Sequence, residues 1–207
     1  MRFARNRTRA PGRSGPGATV PPVTPRRRLA ALAVALPLAA CGGSDFSGKA
    51  DVPAGYATYR GDGVTLAYPK DWKVARRDDS DGGSTVRITP REQSKTPFGL
   101  ILLAASPNAE KRFANNVKGR RAVMREVSKA KIESDEEVDL PGAKEAHRLT
   151  ATAPARAGTD PVEIRSDSLD ILRENGDTLT VVVADPERKG DDDLDPKAVV
   201  DSVRLTG

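Results

Sequence analysis

The chain has 207 residues, 34 basic and 29 acidic, for a formal charge of +5. Residues 1–40 hold eight arginines and no acidic side chain, so the remainder carries 26 basic against 29 acidic groups and is slightly negative. No argument for a nucleic-acid partner survives this count, and none is expected, because phosphate binding needs clustered positive charge. A single cysteine also leaves no internal disulfide.

Met1 to Pro25 is rich in Arg, Pro and Gly without helical or strand periodicity, the composition of a disordered leader. Translation starting near Val20 or Val23 would leave a leader of ordinary length. Arg26, Arg27 and Arg28 then precede an apolar run of twelve residues, Leu29 to Ala40. As a helix that run is about 18 Å long, too short to cross a hydrocarbon core of roughly 30 Å. A basic start, a short apolar core and small residues before a cut are the parts of an export signal. The arginines also permit the twin-arginine route, although Pro25 replaces the usual polar residue before the pair.

The run ends Leu38-Ala39-Ala40-Cys41. This resembles the lipobox of bacterial lipoproteins. The resemblance implies that the Cys41 thiol takes a diacylglyceryl group before cleavage on its N-terminal side. It implies a protein anchored in the cell membrane on the extracytoplasmic face, where two or more acyl chains make attachment stable. Residues 41–54 follow as lipidated cysteine and flexible tether, with a root-mean-square reach of roughly 20 Å. Residues 55–207 are the size of one domain.

In the domain, Gly61-Asp62-Gly63 is turn chemistry ahead of a strand in which Val64, Leu66 and Tyr68 alternate with Thr65 and Ala67. Pro69 ends it. Lys73 to Arg76 and a strand with Val86 and Ile88 inward are joined by the loop Asp78 to Gly83. Leu100-Ile101-Leu102-Leu103, in a strand from Phe98 to Ala105, is apolar on both faces, and such a strand must be covered on both sides. Helices on both faces of the sheet are therefore expected.

Ser106-Pro107 reads as N-cap and first residue of the main helix. From Ala109 to about Lys129, Phe113, Val117, Met124 and Val127 recur at helical spacing. Lys111, Arg112, Lys118, Arg120, Arg121 and Arg125 fill the rest, an amphipathic pattern, and Gly119 marks a kink or close approach. Strands follow over Ile132 to Leu140, Ala143 to Thr152, Val162 to Arg173 and Thr178 to Ala184, with turns at Pro141-Gly142 and Asn175-Gly176-Asp177. Val162 and Ile164 differ in parity from Leu169 and Ile171, which predicts a bulge near Ser166. A last helix begins at Asp195 with Pro196 and buries Val199, Val200 and Val203. The fold class is α+β, an antiparallel sheet sandwiched by helices.

The strand motif Gly63-Val64-Thr65-Leu66-Ala67-Tyr68-Pro69 with Asp71-Trp72, the long helix, the four-strand meander with its Gly176-Asp177-Thr178-Leu179 hairpin and the closing Asp201-Ser202-Val203-Arg204-Leu205 resemble the PsbP-like α-β-α sandwich of actinobacterial lipoproteins. The resemblance spans Gly55 to Leu205. It implies a non-enzymatic accessory or binding domain, with no catalytic residue to carry over and no cofactor.

The side chains point the same way. His147, the only histidine, shares a strand parity with Leu149 and Ala151 and has no second histidine or cysteine for a metal. No Gly-x-Ser-x-Gly occurs. Asp79-Ser80-Asp81-Gly82 begins like a calcium loop, but Gly83 and Pro90 stand where ligands belong, so it reads as a turn. Asp191, Asp192, Asp193 and Asp195 read as a solvated run whose last member caps a helix, with a weakly held calcium ion as the alternative. The basic helix face reads as solvated, or as attracting anionic headgroups beside its own tether. Trp72 reads as a packing residue, or as a binding-site aromatic. Expected catalytic and metal-binding residues are thus none. The function expected is a membrane-anchored interaction module for a cell-envelope protein complex. The alternative is a carrier for a lipid or other apolar ligand, which requires an internal apolar cavity.

Overall fold

A computed structural model of the chain describes residues 52–91, 99–157, 159–187 and 194–206. The Leu38, Ala39, Ala40 and Cys41 signal and Asp191 to Asp193 lie outside the described residues. The fold is mostly antiparallel sheet with few helices, in the α+β manner.

The first elements among the described residues are β1 (Tyr56–Gly61) and β2 (Val64–Pro69), paired around a two-residue turn. Asp62 and Gly63 both have positive φ, 53° and 67°, as the tightest right-twisted hairpins require. β10 (Arg204–Leu205) pairs on the other side of β2 and completes a three-stranded sheet. The larger sheet has seven strands, all antiparallel: β3 (Lys73–Asp78), β4 (Ser84–Thr89), β5 (Leu100–Ser106), β9 (Thr178–Glu187), β8 (Asp160–Arg173), β7 (Ala143–Ala157) and β6 (Lys131–Glu137), in that spatial order.

One face of the large sheet, here the inner face, presents Val86, Ile88, Ile101, Leu103, Leu169 and Val181, all essentially without solvent exposure. They pack on Val64 and Leu66 of β2 and on Val199 and Val200 of α2 (Pro196–Asp201). Each such side chain stabilises the fold by roughly 1.5–3 kcal/mol over the exposed state. The expected last helix stops at Asp201. Val203 is buried beyond its end and the chain turns into β10.

The outer face carries α1 (Glu110–Ala122), which buries Phe113 and Val117 against Leu172 of β8. Three expectations for this helix are corrected. Ser106 is not its N-cap, because Ser106 still pairs with Thr178 in the sheet and Asn108 takes φ 50°. The helix start is instead closed by the 175–177 turn. The N–H groups of Ala109 and Glu110 donate to the Gly176 carbonyl at 3.0 and 3.1 Å, and that of Asn108 donates to Asp177 Oδ1 at 2.9 Å. The last turn, Val123–Val127, is π-helical, with Ser128 N–H donating to the Val123 carbonyl. Met124 still packs by Ala130, Leu149 and Ala151, but Val127 is 75% exposed. Gly119 has no close neighbour, so neither packing nor approach explains it.

The covering of the apolar strand is also only partial. Ile101 and Leu103 are buried on the inner face, whereas Leu100 and Leu102 are half-buried on the outer one. They floor an open groove of about 440 Å³ rimmed by Arg77 and Arg87, beyond the reach of α1. No described helix is long and apolar enough to cross a membrane.

Candidate functional site

The predicted bulge at Ser166 does not exist. β8 pairs continuously with β7 and β9 through that position, and the parity change in its apolar residues has another cause. Asp167 takes the inward position next to Leu169 and stays there because Arg148, on the neighbouring β7, meets it. Arg148 Nε donates to Asp167 Oδ1 at 3.0 Å and Nη2 donates to Oδ2, a two-pronged pair with both side chains 4% exposed. Arg148 Nη1 reaches Asp201 Oδ1 at 2.8 Å, and Lys197 holds the other oxygen of Asp201. Burial pushes the Asp167 carboxyl above its usual range, and the pull of Arg148 in the other direction does not fully offset it. The guanidinium stays cationic despite its own burial, because Asp167 and Asp201 both face it.

This network forms the base of a groove of about 310 Å³ between the inner face of β6–β8 and the start of α2. The lining mixes both signs of charge with hydroxyls: Glu133, Glu136 and Asp195 against Arg165 and Lys197, with Ser134, Thr150 and Thr152 between them. Asp195 is the N-cap expected from the sequence, its Oδ1 accepting from Lys197 N–H at 3.0 Å. Thr152 donates to Glu133 at 2.9 Å, and Ser134 and Thr150 bond each other at 2.7 Å. The groove thus offers a fixed pattern of charges and hydroxyls.

A second polar cluster joins the two sheets. The Asp62 carboxylate accepts from Tyr59 Oη at 2.8 Å, Arg76 Nη1 at 2.6 Å and Ser84 Oγ at 2.7 Å. Burial pushes its pKa upward, but those three donors outweigh burial and hold it below the usual carboxylate range. Burial and the bond to Asp62 push the Tyr59 phenol up to about 12. Arg173 donates to the Asp62 carbonyl and lies against Gly63, where a Cβ would come within 2.6 Å of Nη1. The cluster pins the β1–β2 turn to the sheet.

The residues singled out from sequence do not converge. His147 is on the outer face, its ring 6.0 Å from that of Phe113 and its Nε2 2.7 Å from Glu145 Oε1. It is thus on the other side of the sheet from the groove. Asp79 to Gly83 is a closed turn whose carboxylates take donors from Arg77, Thr85 and the Gly83 N–H. Trp72 is 7% exposed in the inner core, with Gly99 packed against its ring. Arg120 and Arg121 do not belong to a solvated helix face: Arg120 pairs with Asp170 at 2.7 Å and Arg121 with Asp135. Among the described residues, no group of three or more His, Cys, Asp or Glu could hold a metal ion. Arg148 and Asp167 escaped the sequence reading, although the interruption Ser166-Asp167-Ser168 in an apolar strand was their signal.

No protein-family profile matches the chain, and no curated protein matches it in sequence. Among solved structures it is similar to a Pseudomonas aeruginosa protein of unknown function, at 12% identity and a TM-score of 0.36 over 63% of this chain and 82% of that one. It is also similar to a Bacteroides thetaiotaomicron VPI-5482 protein, at 11% identity and a TM-score of 0.37 over 70% of this chain and 46% of that one.

Proposed function

We propose that the protein is an exported lipoprotein, anchored through Cys41 on the extracytoplasmic face of the cell membrane, whose PsbP-like α-β-α sandwich serves a cell-envelope complex as a non-enzymatic interaction module. The observation that carries the interaction reading is the polar groove beside α2. Its charges of both signs and its hydroxyls suit a protein loop with matching charges and donors. Apolar tails would strand those groups without partners, at a cost of about 1–3 kcal/mol for each one left unsatisfied. The lipobox resemblance supports the anchor, and the arrangement Leu38-Ala39-Ala40-Cys41 names the residue to test.

The test places a photocrosslinking amino acid at Arg165 or Lys197 in the groove, and at exposed Lys70 as control, in cells making the anchored chain. The reading requires one protein captured from both groove positions and not from Lys70, with capture lost in Cys41→Ala and reduced by Arg165→Glu. Equal capture from all positions overturns it. Lipid co-purifying with the domain, without groove capture, replaces it by the carrier alternative. Metabolic labelling with a palmitate analogue, present in the natural chain and absent in Cys41→Ala, checks the anchor separately.

A further inference from the structure

From Lys111 to Lys129 the one acidic residue is Glu126. With Arg120 and Arg121 turned to the sheet, the cations left on the solvent side of α1 and its π-turn are Lys111, Arg112, Lys118 and Arg125, all exposed and without an ion-pair partner among the described residues. Lys111 and Lys118 are spaced by seven residues, two turns of the α-helix, so they share one line along its crest, and Arg125 follows in the π-turn. Arg112 stands on the flank.

That flank also bears exposed apolar surface. Val123 is 52% and Val127 75% exposed, one turn apart. Val123 is about 200° round the helix from Arg121, whose guanidinium reaches Asp135 of β6. It therefore faces away from β6, towards the part of the sheet that α1 leaves open. There the floor is Leu100 and Leu102, and the rim is Arg87 with Arg77, which also pairs with Asp79. Basic crest, exposed valines and arginine-rimmed apolar floor lie on one side of the molecule. The groove with its carboxylates lies on the other.

We infer that this outer side is a membrane-docking face, on which the domain lies against an anionic phospholipid surface with Val123 and Val127 entering the headgroup boundary. Basic side chains over an apolar strip are the chemistry of interfacial binding, and an anionic leaflet supplies the opposite charge. The inference rests on the anchor reading, since the tether keeps the domain within reach of the bilayer. It leaves the α2-side groove turned away from the membrane and open to a protein partner.

The test uses the chain purified with its anchor and reconstituted into vesicles of phosphatidylcholine alone or with phosphatidylglycerol. A fluorophore is attached at Val127→Cys or, on the opposite side, at Lys197→Cys, and quenching by doxyl-labelled lipid is read. Docking requires stronger quenching at position 127 than at 197 in anionic vesicles, with the difference removed by high salt. Each basic residue near the surface is worth about fivefold in the docked-to-undocked ratio. Lys118→Glu with Arg125→Glu should therefore lower that ratio by at least about 25-fold while the far-ultraviolet spectrum is unchanged. Flotation with vesicles is scored first. A chain that floats with neither vesicle removes the anchor reading and the docked orientation together. Flotation with equal quenching at both positions, or with quenching at 127 indifferent to lipid charge and salt, overturns the orientation alone.

Discussion

Replacing Arg148 by Met removes the cation between Asp167 and Asp201 but keeps most of the side-chain volume. Asp201 keeps Lys197 and one-third exposure, so it is little affected. Asp167, 4% exposed, loses both of the guanidinium bonds that hold its carboxylate. Removing one member of a buried pair costs about 3–5 kcal/mol, because the other charge stays uncompensated. For a domain of this size each kcal/mol shifts the melting temperature by about 2–4 °C, so the loss should be roughly 6–20 °C. Urea unfolding followed by circular dichroism measures it directly. The double variant Arg148→Met/Asp167→Leu should recover most of the loss, since an apolar pair of similar volume is often neutral or stabilising. The pH dependence has a definite sign. Burial already raises the Asp167 pKa, and removing Arg148 raises it further, so the folded single variant binds a proton more readily than its unfolded chain. Its deficit against the double variant is therefore fullest above the raised pKa and shrinks as pH falls through it. A single variant within about 1 kcal/mol of the natural chain, which is the range of an exposed pair, would refute the buried-network reasoning.

The Asp62 cluster gives the opposite pH response. Its lowered carboxyl contributes stability that is present above the unfolded value of about 4 and lost as pH falls through the folded value, so Asp62→Asn should flatten the acid limb of a stability-against-pH curve. An unchanged acid limb would contradict the three-donor cage. In an ultraviolet titration, the tyrosine ionising near pH 12 should disappear in Tyr59→Phe, and persistence of that step would overturn its assignment to Tyr59. Gly99→Ala should cost about 1–3 kcal/mol, because its Cβ would come within 2.6 Å of the Trp72 ring in a packed core. The emission of the only tryptophan reads the same disturbance, and a substitution neutral in both measurements would mean that the ring has room to move.

Local chemistry was legible in the sequence. Val64 with Leu66 and Val86 with Ile88 fall on the buried parity, and the 62–63 and 175–177 turns form where glycine permits positive φ. Long-range compensation was not legible. The Asp167 charge in an apolar strand looked like a register fault because its partner, Arg148, is 19 residues away. Ser106-Pro107 has the local signature of a helix start, but cross-strand pairing with Thr178 holds Ser106 in the sheet, and the cap comes from a turn 69 residues on. Val127 fits an α-helical period that ends one turn earlier, at the π-turn. The apolar run of β5 did need two faces, but only one is fully covered, because a helix of 13 residues cannot span seven strands.

The distribution of cations connects fold to placement. The part of the chain after residue 40 is slightly acidic in sum, so an anionic membrane would repel it if its charge were evenly spread. The charge is not evenly spread. Arg148 is held inside by carboxylates, and Arg120 and Arg121 fix α1 to the sheet through Asp170 and Asp135, so none of the three contributes to an outward field. Among the described residues, Lys111, Arg112, Lys118 and Arg125 remain unmatched on the crest and flank of the helix, while Glu133, Glu136 and Asp195 gather by the groove on the far side. Such a charge dipole feels a torque near an anionic surface even when its net charge is repelled. Within a Debye length of about 8–10 Å the near face dominates the interaction. If the chain is anchored at Cys41 as proposed, a tether with a reach of roughly 20 Å would hold the domain close enough for that torque to act. The asymmetry that would lay α1 on the bilayer would also turn the groove outward to a partner, and reversing the crest charges should abolish the first effect before it affects the fold.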